Sequence, residues 1–65
     1  MKKRELEYIL KHCGWWFLRS GGNHDIWTNG EKIEPVPRHA EINELTAKSI
    51  IKKARKYPPN RREDE

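Results

Sequence analysis

Apolar side chains first recur at Leu6, Ile9, Leu10 and Cys13, the i, i+3, i+4, i+7 spacing of one helical face. Lys2, Lys3, Arg4, Glu5, Glu7 and Lys11 fill the other positions, so the segment predicts a short amphipathic helix. Gly14 stands where a left-handed helix-ending residue belongs and stops it. Trp15-Trp16-Phe17-Leu18 abandons helical spacing for strand-favouring residues, and predicts a strand with both faces at least partly covered. Ser20-Gly21-Gly22-Asn23 predicts a turn, because two glycines there permit positive φ. His24 to Thr28 alternates and predicts a second strand. Asn29-Gly30 then favours a type I′ turn into a third strand from about Lys32 to Val36. Pro35 and Pro37 make that strand an edge or end it early.

Asn43 is placed to cap a second helix, in which Leu45, Ala47, Ile50, Ile51 and Ala54 are expected to line one face. Pro58-Pro59 stops it. The predicted class is α+β, in the order α-β-β-β-α. A three-stranded antiparallel sheet and two amphipathic helices bury their apolar faces only if both helices stack on one side of the sheet. The other side stays open. This arrangement matches the double-stranded-RNA-binding domain, although topology alone does not make an RNA binder. Residues 1–57 form the expected single domain, and 58–65 a charged tail too polar to pack.

Sixty-five residues bury one small core near the lower limit of independent stability. There is no room to enclose a nucleotide cofactor, so chemistry is expected on an exposed surface without cofactors. Fourteen Lys and Arg against ten Asp and Glu give a net charge of +4, which suits an anionic partner. The excess sits in residues 1–13 and 52–65, around a near-neutral middle. The single cysteine, Cys13, excludes an intrachain disulfide and fits a reducing cytoplasm. With no signal-peptide pattern and no membrane-length apolar run, the expected location is cytoplasmic.

Among residues able to do chemistry, His24 comes first. It opens a strand directly after a glycine turn, so its imidazole is expected at the rim of the sheet. Histidine exchanges protons near neutral pH, which RNA cleavage requires, since the 2′-hydroxyl loses a proton while the leaving 5′-oxygen gains one. Taken alone, the local pattern favours a surface histidine without a role. Gly22 and Asn23 can offer backbone amides to a phosphate, and Arg19 can neutralise one, though a hairpin connector and a solvated arginine fit the same residues. Arg38 and His39 form a second basic site after the third strand. None of His12, Cys13, His24 and His39 shows paired-ligand spacing, so no metal site is expected. Trp15 and Trp16, adjacent on a strand, must point to opposite faces: one toward the helices, the other onto the open face.

Gly14-Trp15, Arg19, Gly21-Gly22-Asn23-His24, Pro37-Arg38-His39 and the closing helix with Ile50-Ile51-Lys52 together resemble a HicA-type toxin. The pattern resembled runs glycine-aromatic, a spaced arginine, Gly-Ser/Asn-His, then Val-Pro-x-His before the last helix, and spans about residues 3 to 56. The resemblance implies ribosome-independent, metal-independent cleavage of mRNA with His24 as the catalytic residue. Arg19, Gly22, Asn23, Arg38 and His39 would then form the phosphate-binding surroundings. It also implies a HicB-type antitoxin covering the active face. Asn23 stands where serine is common, and Asp25 where a second histidine or an apolar residue often stands; neither departure removes the catalytic group. Asp25 points to the opposite face of its strand and is not assigned to orient the imidazole.

Two other functions fit the bare residues. One is a non-catalytic RNA-binding module, which Glu44 at the start of the second helix disfavours by opposing phosphate contact. The other is an interaction domain that docks an acidic partner through its open sheet face.

Overall fold

A computed structural model describes residues 1–59, so the charged tail expected over 58–65 lies outside the described residues except for Pro58 and Pro59. The elements run α1 (Lys3–His12), β1 (Trp16–Gly21), β2 (His24–Thr28), β3 (Ile33–Pro37) and α2 (Glu44–Lys56), and the strands form one antiparallel sheet in the order β1-β2-β3. The expected α-β-β-β-α fold is the one found. Leu6 and Leu10 of α1 meet Ala47, Ile50 and Ala54 of α2 over Trp27 and Val36 of the sheet, with Trp15 and Ile42 closing the cluster. Both helices therefore cover the same sheet face.

The helix ends follow from local chemistry. Cys13 caps α1, and Gly14 turns the chain out at φ +91°. A Cβ at Gly14 would also stand 2.8 Å from the Pro59 ring, so the position needs glycine twice over. Asn43 caps α2 as expected, its Oδ1 accepting from the amides of Leu45 at 2.9 Å and Thr46 at 3.4 Å.

Two local expectations need correcting. Leu45 was expected on the core face of α2, yet it is 78% exposed. Two positions from Ala47 place it about 200° away around the helix, on the side opposite the core. Asn29-Gly30 was expected to form a two-residue type I′ turn. Thr28 pairs instead with Ile33, leaving the four residues 29–32 as the loop, and only Gly30 among them has positive φ. The reason lies in the Asn29 side chain, which is buried. Its Oδ1 accepts from the Glu31 and Lys32 amides, and its Nδ2 donates to the Tyr57 carbonyl at 2.8 Å. Trp15 Nε1 donates to the same carbonyl at 3.0 Å, so one oxygen ties the end of α2 to both strands of the β1–β2 ribbon at the end away from its hairpin.

Trp15 and Trp16 separate as the strand argument requires: Trp15 is 2% exposed and Trp16 46%. β1 is an edge strand, and its Phe17 and Leu18 are also about half exposed. A bulge between Phe17 and Arg19 takes Leu18 out of register.

Candidate active site

The sheet's register decides which residues share the face that the helices leave uncovered. Trp16 pairs with Thr28, Arg19 with Ile26, and Gly21 with His24; across the other ladder Thr28 pairs with Ile33, Ile26 with Pro35, and His24 with Pro37. Directly paired residues point the same way, and alternation along each strand preserves the face. Three rows result: Trp16-Thr28-Ile33, Arg19-Ile26-Pro35 and Gly21-His24-Pro37. The alternate set, Asp25, Trp27, Glu34 and Val36, faces the helices.

His24 occupies the middle of the last row, at the rim, and is exposed. Its position follows from the hairpin before it. Gly21 and His24 pair, so Gly22 and Asn23 alone make the connection. Gly22 has φ +60° and Asn23 does not have positive φ, the sign pattern of a type II′ hairpin with glycine at its first central position. Gly22 and Asn23 are both exposed beside the histidine.

Arg19 joins this group through the glycine next to it. A Cβ on Gly21 would stand 3.3 Å from Arg19 Nη1 and 3.3 Å from Ile26 Cγ1. The missing side chain lets the guanidinium lie over Gly21, in the row that holds His24. Arg19 and His24 were singled out separately in the sequence, and the fold brings them to one end of one face.

The register also resolves the placement of Arg38 and His39. Because His24 pairs with Pro37, both follow at the same end of the sheet, and both are exposed. Their roles differ in geometry. Arg38 Nε donates to Asp25 Oδ1 at 3.0 Å, while Lys3 Nζ donates to Asp25 Oδ2 at 2.9 Å. The Lys3 ammonium, with Arg38 second, holds the Asp25 carboxyl below the usual carboxylate range. Lys3 itself is raised, first by Glu7 and then by Asp25. Asp25 thus pins the start of α1 and the segment after β3 onto β2, from the face away from His24. It shapes the end of the sheet without meeting the imidazole.

A shallow groove of about 370 Å³ runs from His24 past Glu34, Pro35 and Pro37 of β3 to Leu45, Thr46 and Ser49 of α2. These three α2 residues were not foreseen as neighbours of the histidine. The signal for Leu45 was present, since its spacing to Ala47 rules out a shared helical face; Thr46 and Ser49 carry none that separates them from solvated helix positions. Among the described residues, no group of three or more His, Cys, Asp or Glu is placed to hold a metal ion. Nor is any described helix long and apolar enough to cross a membrane.

No curated protein and no solved structure matches the chain. A family model does, the one described as HicA toxin of bacterial toxin-antitoxin, over residues 4–55. That span takes in both helices but for their terminal residues, the whole sheet, His24, Arg19 and the Arg38-His39 segment. The chain belongs to the HicA toxin family.

Proposed function

We propose that this toxin is an endoribonuclease that cleaves mRNA without the ribosome or a metal ion, with His24 as its catalytic residue. The observation that carries this reading is the position of His24: exposed, at the rim of the open face, with the Arg19 guanidinium over the glycine paired to it. A nucleophile supplied by the RNA itself suits so small a chain, because no water or metal has to be held.

His24 accepts the 2′-hydroxyl proton as the 2′-oxygen bonds to phosphorus. The bond from phosphorus to the 5′-oxygen breaks, and that oxygen takes a proton from a second donor, His39 or water. Arg19 and the amides of Gly22 and Asn23 steady the charge on the phosphate oxygens. Arg38, already bound to Asp25 through Nε, contributes positive charge at the same end of the sheet. The products are a 2′,3′-cyclic phosphate and a 5′-hydroxyl. The family supports a protein antitoxin as partner; in this reading it is of HicB type, acts in the cytoplasm, and covers the face that carries His24.

Tightly induced expression of the parent and of His24→Ala, with growth and total mRNA followed, tests the assignment. The parent is expected to arrest growth and deplete transcripts, and cleavage by His24→Ala to fall about 10²–10⁴-fold. Equal toxicity of the two proteins refutes His24 as the catalytic residue. Cleaved ends bearing 5′-phosphate refute the 2′-hydroxyl mechanism and point to an activated water.

A further inference from the structure

We propose that the open sheet face is a track for single-stranded RNA, on which Trp16 stacks a base lying beyond those that flank the scissile phosphate. The proposal rests on the endoribonuclease reading above and extends it from the reacting end of the face to the far end.

The face is polarised along β2. His24 and the Arg19 guanidinium occupy one end, and the row of Trp16, Thr28 and Ile33 the other. Thr28 lies four steps along β2 from His24, which at strand rise is about 13 Å. Trp16 and Ile33 are each about half exposed there, in a chain whose mean hydropathy is −1.14. The edge of the indole rests against the loop at Gly30, where a Cβ would stand in van der Waals contact, 3.4 Å from Trp16 Cη2.

Charge identifies the occupant. The nine positions of the open face include no carboxylate, although the chain has ten acidic residues. The two acids carried by the strands, Asp25 and Glu34, both turn to the helix face, where Lys3 and Arg38 hold the first and Lys53 the second. A face with a cation, an exposed aromatic and no negative charge fits a polyanion whose bases are free to stack. Duplex RNA hides the faces of its bases, whereas a single strand presents them. A protein strand added to this sheet would occupy an edge and leave the face uncovered.

Tryptophan emission gives a direct readout, because Trp15 and Trp27 are each 2% exposed and Trp16 is the accessible indole. Single-stranded oligonucleotides of increasing length are titrated into His24→Ala protein, which binds without cleaving. Quenching is expected once the strand reaches past the nucleotides at His24, and is lost in His24→Ala combined with Trp16→Leu, where leucine keeps the apolar cover over Gly30. With His24 intact, KM should fall as substrates lengthen. Trp16→Leu should abolish that gain, raising KM on the long substrate about tenfold, and Trp16→Tyr should restore most of it. Absence of quenching at every length, or a Trp16→Leu protein whose KM follows the parent at all lengths, overturns the track. So does a Trp16→Leu defect confined to antitoxin binding, which would assign the face to a protein. Quenching by RNA that the parent fails to cleave would uphold the track and defeat the nuclease reading.

Discussion

The two faces of the sheet use the same kinds of residue for opposite ends. On the helix face, Trp27 is buried beneath the helices and the acids Asp25 and Glu34 are held by cations. On the open face, Trp16 is half exposed, while Arg19 and His24 meet solvent. Residues one step apart in β2, His24 and Asp25, fall on different sides and do different work. Strand alternation thus lets five residues carry part of the core and part of the site together. It also ties the two faces to a single register, because a slip of one residue would exchange them.

Trp27→Ala should have the largest effect, about 3–5 kcal/mol, out of a total stability of about 5–15 kcal/mol for a domain. Thermal denaturation should show a large fall in Tm or no folded baseline at all. If Trp16→Leu lowered Tm as far, the two tryptophans would be equivalent and the division between faces would fail.

Asp25→Asn should come next, at about 2 kcal/mol, for losing charged acceptance from Lys3 and Arg38. The lowered carboxyl gives this contribution a direction in pH. It is fully present above the ordinary carboxylate range and is lost as pH falls through the folded-state value. Acid titrations of stability should therefore diverge at neutral pH and converge at the acid end, while cleavage per folded molecule stays with the parent. A rate loss comparable to that of His24→Ala would move Asp25 into the chemistry.

Leu45→Gln should be the smallest, within about 0.5 kcal/mol in the isolated chain, because the side chain is largely in water. The urea midpoint measures it. A loss above that would return Leu45 to the core.

Much of this was legible in the chain. The spacing of Leu6, Ile9 and Leu10, the Gly14 stop, the Asn43 cap and the alternation from His24 to Thr28 are local signals, and the fold follows them. Leu45 departs from the core face through its own spacing to Ala47, a local signal, whereas the hairpin answers to a partner distant in sequence. Asn29-Gly30 carries a strong hairpin pattern, yet the Tyr57 carbonyl, 28 residues away, draws the Asn29 side chain inward and lengthens the loop. The site divides in the same manner. His24 and its glycine turn are adjacent in sequence, but the approach of Arg19 to that row depends on strand pairing across the bulge. Arg38 and His39 depend on the second ladder, which fixes them at the end of the sheet where His24 lies.

The prolines of β3 bear on assembly. Pro35 and Pro37 lack an N–H, and such residues sit in an edge strand where that group would face outward. The Ile33 carbonyl beside them is already taken by Lys53 Nζ at 3.0 Å. A further strand finds little to bond on that side, whereas β1 has no proline. Two copies that joined β1 to β1 would therefore end in proline-bearing borders on both sides. Growth by sheet extension would then terminate at a pair rather than run on as a fibre.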